Sequence, residues 1–215
     1  MMGGEFCGNA ARSFGLFVAR ETGLKGRHTV TIEISGMQEP LSVHVDTETG
    51  RAEVEIPRPV AQGSLSFEGH ILPVFVFEGI THVLAPGLKP DKETFFAIKG
   101  LLPEKGVGPS AAAGFPSDGG HPFDALGVMF YDSEKQFLQP AVYVPATDSL
   151  VFESSCGSGS AALAAWKTAG LRDGEGCCDV AQSGGIIEVR VSKHEGEISS
   201  ITIGGPVGLS ERVKG

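Results

Sequence analysis

A Cys-Gly step followed by small residues occurs twice in this chain, in Met2-Gly-Gly-Glu-Phe-Cys-Gly-Asn-Ala-Ala-Arg12 and in Glu153-Ser-Ser-Cys-Gly-Ser-Gly-Ser-Ala-Ala162. The two cysteines, Cys7 and Cys156, are offset by 149 residues. A second pair of matching segments, Val54-Glu-Ile56 and Ile201-Thr-Ile203, is offset by 147. Such a nearly constant offset over fifty residues indicates an internal duplication. We therefore expect two pseudo-symmetric α+β halves, each a mostly antiparallel sheet around a central helix, with a cleft between them.

Each Cys-Gly step leads into an alanine-rich apolar run, which predicts that each cysteine stands at the start of a helix. The unpaired N–H groups and the positive dipole end of a helix stabilise a thiolate, so we expect a thiol pKa below the usual value of roughly 8.5. The same N–H groups can bind a carboxylate. Two such helix starts facing each other could hold one small anionic molecule between two sulfurs.

Composition excludes several classes of function. With 215 residues, 41% of them apolar, the chain can bury a substantial core, and its net charge of −9 argues against a nucleic-acid partner. No apolar run approaches the roughly 18 residues needed to cross a bilayer, so we expect no membrane partner and a cytoplasmic location. Four cysteines without Cys-x-x-Cys spacing favour neither a disulfide framework nor a zinc site. The cysteines are therefore expected either to take part in thiol chemistry or simply to be buried.

Periodicity predicts the main elements. Helical spacing covers 8–23, a weaker helical run covers 92–101, and a second alanine-rich helix covers 157–169. Period-two alternation predicts strands at 29–34, 41–45, 51–56, 70–77, 81–84, 123–130, 141–144, 186–191 and 198–203. The first three should form an antiparallel meander.

Turn-forming residues predict the boundaries between these elements. Pro57, Pro59 and the Gln62-Gly63-Ser64 step suggest the boundary between a first half over 1–61 and a second half over 62–207. This scheme allows residues 208–215 to return to the first half, and 103–122 should form an exposed loop.

A pair of equivalent cysteines suits one reaction in particular. Inverting an amino-acid α-carbon requires a base on one face and an acid on the other, and a thiolate and a thiol can exchange these roles. Backbone donors at two helix starts would stabilise the charge that develops on the substrate carboxylate, and losing one such donor typically costs about 3 kcal/mol. We therefore predict Cys7 and Cys156 as catalytic residues.

Three segments carry a resemblance to a known family. Glu5-Phe-Cys-Gly-Asn-Ala-Ala-Arg12 resembles the first catalytic motif of the diaminopimelate epimerase family, and Cys156-Gly-Ser-Gly-Ser160 resembles its second. The tail Ser183-Gly-Gly-Ile-Ile-Glu-Val189 with Ile203-Gly-Gly-Pro-Val207 resembles its C-terminal signature. The resemblance implies a cofactor-independent amino-acid racemase or epimerase with Cys7 and Cys156 as the acid/base pair. It also implies that the backbone at Gly8, Asn9, Gly157 and Ser158 binds the substrate carboxylate, with no metal and a homodimer as a possible assembly.

The chain departs from the family's pattern at positions that recognise the substrate. Asparagines and a Glu-Arg pair help diaminopimelate epimerases bind diaminopimelate, and their places hold Ile80, Gly127 and Thr147-Asp148 here. The lack of these polar side chains argues against diaminopimelate, because polar groups of that substrate would be buried without hydrogen-bond partners. Another amino acid is favoured, with histidine a candidate since histidine racemases share this fold. The family also has several dozen residues before its first cysteine, so the first half should be incomplete at its N-terminus.

Other functions remain open on the sequence. They are a diaminopimelate epimerase proper, an inactive relative that serves as a binding module, and a Cys-His hydrolase using His82, which the pattern otherwise places in the core. Glu5 and Glu153 precede the two cysteines and could contact the substrate ammonium or simply begin the helices. Cys177 and Cys178 should be bystanders, one buried and one exposed.

Overall fold

The computed structural model describes residues 6–102 and 124–208, which form an α+β fold around one mixed sheet. The helices of these residues are α1 (Gly8–Glu21), α2 (Lys92–Lys99) and α3 (Gly157–Lys167), with a short 3-10 helix at Pro145–Thr147. The strands are β1 (Arg27–Ile32), β2 (Leu41–Asp46), β3 (Arg51–Ile56), β4 (Ala61–Phe67), β5 (His70–Phe77), β6 (Ile80–Pro86), β7 (Ala125–Asp132), β8 (Phe137–Val144), β9 (Ser149–Phe152), β10 (Gly174–Gln182), β11 (Gly185–His194) and β12 (Glu197–Gly204).

The chain begins with α1 packed on a three-stranded antiparallel meander, β1 to β3. Strict alternation in β2 and β3 sends Val43, Val54 and Ile56 to the buried face, since successive side chains of a strand point to opposite faces. Gly15 of α1 lies on Val43, where an added Cβ would come within 2.7 Å of the valine side chain. Alternation on one side and a glycine on the other therefore bring helix and meander close together.

Strands β4 to β8 form the other end of the sheet, and helices cover both of its faces. Phe95 and Ile98 of α2 pack into a core with Val83 and Val128 on one face. Leu84 and Met129 belong to the other face, in the core that contains α3. Near-continuous apolar runs in β6 and β7 are typical of strands buried on both faces, and these two strands pair in parallel.

The two ends of the sheet are joined by β10 to β12. In strand order the sheet runs β1-β2-β3-β12-β11-β10-β8-β7-β6-β5-β4, with β9 paired to β8. The join between β3 and β12 is antiparallel, with Ile56 opposite Ile201, Glu55 opposite Thr202 and Val54 opposite Ile203. The two segments that match in the sequence at an offset of 147 thus pair with each other.

Most predicted elements are confirmed. Both alanine-rich helices, the weak helix after residue 92, the meander and the nine predicted strands are present, with ends shifted by a few residues. Gln62-Gly63-Ser64 does not interrupt the strand pattern, because these residues lie inside β4, which pairs along its length with β5. The domain boundary predicted there stays a prediction. Strands β9 and β10 were not predicted either, since β9 has four residues and β10 opens with Gly-Glu-Gly-Cys-Cys.

Three predictions lie outside the described residues. They are the exposed loop at 103–122, the role of Glu5, and the return of the chain end to the first half, of which only residue 208 is described. In the part of the chain that is described, no helix is both long and apolar enough to span a bilayer.

Candidate active site

Both predicted catalytic cysteines stand at the N-cap of a helix. Cys7 precedes α1 with φ −135° and ψ 107°, and Cys156 precedes α3 with φ −132° and ψ 113°. Each cysteine carbonyl accepts the first helical hydrogen bond, from Ala11 N–H at 2.9 Å and from Ser160 N–H at 3.0 Å. The repeated Cys-Gly motif therefore adopts nearly the same backbone conformation in both copies.

The starts of α1 and α3 converge on one side chain of the β3–β12 strand pair. A Cβ added to Gly8 would lie 2.5 Å from Ile203 Cδ1, and one added to Gly157 would lie 2.9 Å from the same atom. Ile56, on the neighbouring strand, is also within 3.1 Å of the Gly8 position. The glycine after each cysteine thus lets its helix start lie close to Ile203, and the two motifs meet at this side chain.

Asn9 connects the two motifs directly. Its Nδ2 donates to Ser155 Oγ at 3.1 Å, and its Oδ1 accepts from Arg12 NH2 at 3.0 Å. Arg12 is buried, which lowers its pKa, although the nearby charges of Glu188 and Cys7 favour its charged form. The buried guanidinium thereby sets the orientation of the Asn9 amide, so that its nitrogen faces the second motif.

Cys156 is a thiol at neutral pH in this structure. Burial and the neighbouring Glu153 carboxylate raise its pKa to about 12, despite the Gly159 N–H at 3.4 Å from Sγ and the Ser158 hydroxyl, both of which favour the thiolate. The expectation that the helix start lowers this pKa is therefore wrong for Cys156. Desolvation of the buried sulfur outweighs the helix terminus.

Glu153 lies near the thiol of Cys156 and is partly buried. Burial raises the pKa of Glu153, and the hydrogen bond with Cys156 partly opposes that shift. The structure thus places the predicted carboxylate next to the second sulfur.

Gln182, at the end of β10, is a site residue that the sequence did not reveal. Its Oε1 accepts from the backbone N–H of Cys156 at 2.8 Å, and its Nε2 donates to Ser160 Oγ at 2.9 Å. Ser160 in turn donates to the Cys156 carbonyl at 2.7 Å. A single buried amide therefore fixes the backbone of the second cysteine. Strand β10, which ends at Gln182, opens with Gly-Glu-Gly-Cys-Cys and lacks apolar alternation, so neither the strand nor this residue is predicted from the sequence.

His82 lies at the second cysteine as well, on β6. It is fully buried, its Nε2 lies 2.8 Å from Ser158 Oγ, and Ser158 Oγ lies 3.8 Å from Cys156 Sγ. Burial lowers the pKa of His82 to about 3, so the imidazole is neutral. A neutral ring that reaches the sulfur only through a hydroxyl does not fit the general base of a Cys-His hydrolase.

The N–H groups at the helix starts remain open to a ligand. Among the described residues, those of Gly157 and Ser158 have no acceptor, and the first N–H groups of α1 lack helical acceptors by geometry. No cluster of three or more metal-ligating side chains occurs in the described part of the chain. The four cysteines are free, with Cys177 exposed and Cys178 partly buried.

The positions that differ from the diaminopimelate epimerase pattern fall in two places. Gly127 lies opposite His82 on β7, and Ile80 begins β6. Thr147 is exposed at the end of the short 3-10 helix, and the Asp148 carboxylate accepts a hydrogen bond from Tyr143 at 2.8 Å. The Asp148 carboxylate is therefore already bound by a hydrogen bond within the protein.

A polar groove of about 580 Å³ lies elsewhere, on the β1–β3 and β11 part of the sheet. Neither Cys7 nor Cys156 lines it, and its arginines are paired with carboxylates, as in Arg51 with Glu188 and Arg190 with Glu53.

Comparison with known proteins identifies the family. The family model described as the histidine racemase CntK N-terminal domain matches residues 1–214. The chain belongs to the histidine racemase family. This confirms the predicted resemblance to racemases and epimerases of the diaminopimelate epimerase type, with histidine racemases as the matching members.

Curated members of the histidine racemase family align over much of this chain. A histidine racemase of Fusobacterium nucleatum is 33% identical over 168 residues, covering 76% of this chain and 59% of the relative. A histidine racemase of Staphylococcus aureus is 25% identical over 197 residues, covering 88% of this chain and 66% of the relative. The chain thus spans about three fifths to two thirds of the length of these relatives.

A solved structure, of a predicted epimerase from Pseudomonas aeruginosa, has the same fold. It superposes with a TM-score of 0.55 and 13% sequence identity, covering 95% of this chain and 73% of that one.

Proposed function

We propose that this chain is an amino-acid racemase, an isomerase, in which Cys7 and Cys156 act on opposite faces of one α-carbon. The observation that carries the proposal is the convergence of two cysteine-capped helices on Ile203, with Asn9 joined to Ser155 across the two motifs. Membership of the histidine racemase family supports it.

The two cysteines carry both proton transfers of the proposed reaction. One cysteine, as a thiolate, removes the α-proton, and the other, as a thiol, gives its proton to the opposite face of the carbanion. The product is the mirror-image amino acid, and the two sulfurs have exchanged protonation states. Since the raised pKa keeps Cys156 protonated in this structure, Cys156 is proposed to begin as the proton donor.

The substrate carboxylate is proposed to bind the backbone N–H groups at Gly8, Asn9, Gly157 and Ser158. These belong to two helix N-termini, where the dipole and the open donors favour an anion. Charge that moves from the α-carbon onto the carboxylate is stabilised by the same donors. We propose that no cofactor takes part, because two thiols and these donors supply the acid, the base and the electrostatic stabilisation.

Histidine is the proposed substrate, on the strength of the relatives' names. Diaminopimelate is the alternative. Gly127 and Ile80 stand where diaminopimelate epimerases have polar substrate-binding residues, and neither has a polar side chain, which favours histidine. A catalytically inactive member that acts as a binding module is the alternative from another class. The cytoplasmic location and a homodimer stay predictions from the sequence.

Two pseudo-symmetric halves around the helices are part of the proposal. The matching backbone angles at Cys7 and Cys156 and the mutual pairing of the repeated segments on β3 and β12 support it. So does the burial of α3, whose residues 161–165 are all buried beneath strands of the sheet. The proposed halves remain 1–61 and 62–207, a boundary at the first residues of β4, with 208–215 assigned to the first half.

Incubation in deuterated water with single amino acids tests the function. A histidine racemase exchanges the α-hydrogen of histidine and interconverts its enantiomers, whereas a diaminopimelate epimerase acts on diaminopimelate and a binding module exchanges neither. Cys7→Ala and Cys156→Ala should each abolish racemisation. Full activity in either variant would exclude the two-thiol mechanism.

A further inference from the structure

The Ser-Gly-Gly segment of the C-terminal signature is a motif that the proposed mechanism does not use. Gln182 and Gly185 form the last pair of the β10–β11 ladder, so Ser183 and Gly184 are the two residues of the turn between these strands. The Gly184 N–H donates to the Ser154 carbonyl at 2.7 Å, and the Ser183 hydroxyl donates to the same oxygen at 3.4 Å. The tip of this hairpin therefore contacts the chain just before α3.

The two adjacent glycines of this segment differ in what a side chain would do there. A Cβ on Gly184 would lie 2.9 Å from the Ser154 carbonyl oxygen and 3.4 Å from Ser154 Cβ, although the backbone of Gly184 does not have a positive φ. Gly185 has a φ of 127°, which favours glycine, but nothing lies within 4 Å of the place of its Cβ. A side chain at 184 would therefore displace Ser154, whereas one at 185 would strain only the hairpin.

The backbone that carries the second cysteine is held at three successive residues. These residues lie between the end of β9 and the start of α3, outside helix and strand. The β10–β11 turn binds the carbonyl of Ser154. The hydroxyl of Ser155 accepts from Asn9 at 3.1 Å. The N–H of Cys156 donates to Gln182 at 2.8 Å. Tertiary contacts therefore set the position of this segment, and the turn makes the first of them.

Proton transfer is sensitive to the position of the group that gives or takes the proton. A displacement of about 1 Å can cost roughly a hundredfold in rate. An alanine at 184 would have to push the Ser154 carbonyl away by about 0.5 Å, from 2.9 Å to the 3.4 Å at which ordinary contact begins. Cys156 is only two residues further along the chain.

We propose that Gly184 is a positioning residue that acts through Ser154, so that the β10–β11 turn holds the Cys156 sulfur in place for proton transfer. This inference rests on the proposed two-cysteine mechanism and adds to it the element that positions the second sulfur. It gives the Ser-Gly-Gly signature a role in the reaction, although this segment comes more than twenty residues after the cysteine.

Steady-state kinetics of the whole chain test the role in catalysis. In Gly184→Ala we expect kcat for racemisation to fall roughly tenfold, and KM to change much less because the donors at the start of α1 stay in place. Gly185→Ala is the matched control in the same hairpin. It should lower the temperature of unfolding through backbone strain and leave kcat within about twofold of the parent.

Alkylation by iodoacetamide gives a readout that does not depend on turnover. Cys156 is 7% exposed, and displacement of Ser154 should open the packing around its sulfur. Measured peptide by peptide near pH 8, Cys156 should react several-fold faster in Gly184→Ala than in the parent. Cys7 and exposed Cys177 should react at unchanged rates, whereas general unfolding would accelerate all of them.

Amide hydrogen exchange in the parent protein tests the contact without a mutation. Gly184 is the second loop residue of its hairpin, and Gly69 is the second loop residue of the β4–β5 hairpin. The N–H of Gly69 has no acceptor among the described residues, whereas that of Gly184 donates to Ser154. Exchange at Gly184 should therefore be at least about a hundredfold slower than at Gly69.

The outcomes separate this inference from the proposed function. A Gly184→Ala variant with the parent's kcat, or a Gly185→Ala variant as impaired as Gly184→Ala, would overturn the role of Gly184 while the cysteine mechanism stands. If Gly184→Ala does not fold, amide exchange decides, and equal rates at Gly184 and Gly69 overturn the inference. If Cys7→Ala retains full racemisation, the proposed function fails, and Cys156 alkylation still shows whether the turn positions this sulfur.

Discussion

Asn9, in the first turn of one helix, donates a hydrogen bond to Ser155, the residue before the second cysteine. Replacing Asn9 with alanine removes this bond and keeps the backbone N–H proposed to bind substrate. A neutral hydrogen bond contributes about 1 kcal/mol, so kcat/KM should fall roughly fivefold if the bond fixes the relation between the two motifs. Steady-state racemisation measures this. Ser13→Ala is the control, because the Ser13 hydroxyl donates to the Asn9 carbonyl within α1. An equal effect of both changes would contradict the prediction.

Gln182 satisfies two buried groups, the N–H of Cys156 and the hydroxyl of Ser160. In Gln182→Leu both lose a partner, and each unsatisfied group costs roughly 1–3 kcal/mol. We expect the free energy of unfolding in urea to fall by several kcal/mol. Gln62→Leu, at an exposed site of β4, should leave it nearly unchanged. Equal stability of the two variants would show that Gln182 does not hold α3.

Glu153 bears a charge that raises the pKa of Cys156, second only to burial. Glu153→Gln removes the charge, so the pKa of Cys156 should fall, and alkylation of this cysteine at a fixed pH near 8 should become faster. Peptide-resolved alkylation is the measurement, with Glu197→Gln, at an exposed position where β12 begins, as control. A slower reaction in Glu153→Gln would mean that the carboxylate acts chiefly as a hydrogen-bond acceptor.

His82 makes stability depend on pH. Its pKa lies at about 3 in the folded protein, against 6.5 ordinarily. Below pH 6.5 the unfolded chain therefore binds a proton that the folded chain does not, and stability falls as pH falls, by up to about 1.4 kcal/mol per pH unit. Above pH 6.5 this contribution is constant. Unfolding measured from pH 7 to pH 4 should show a shallower decline in His82→Gln than in the parent, whereas exposed His70→Gln should follow the parent.

Gly127 is expected to tolerate no side chain. In Gly127→Ala the new methyl group would overlap His82 and Met129, and overpacking of this kind costs about 1–3 kcal/mol. Gly170→Ala, at a site with nothing within 4 Å, is the matched control for the loss of a glycine. Thermal unfolding compares them. A stable Gly127→Ala protein would show that the His82 ring can adopt another position.

The elements around the cysteines could be predicted because their patterns are local. An alanine-rich run after Cys-Gly predicts a helix start, and alternation predicts β2 and β3, whatever the rest of the chain does. Gln182 could not be predicted, because its two partners lie in a helix more than twenty residues earlier and its own strand is rich in glycine and charge. The membership of β4 in the sheet depends on its partner β5 rather than on its own polar sequence.

The pKa of Cys156 could not be predicted from the local sequence either. A helix start favours a thiolate, and this can be read from the sequence around Cys156. Burial disfavours it, and burial depends on Met129 and on other residues far away in the chain, which pack against the first turn of α3. The effect of the helix start can be predicted from the sequence. Burial has the larger effect, and it decides that Cys156 is protonated.

Ile203 belongs to neither cysteine motif, yet the same methyl group, Cδ1, touches the first residue of both helices. One aliphatic side chain therefore acts as a common seat for both helix starts. A change of residue at 203 reaches both cysteine motifs at once, although it alters neither of them in sequence.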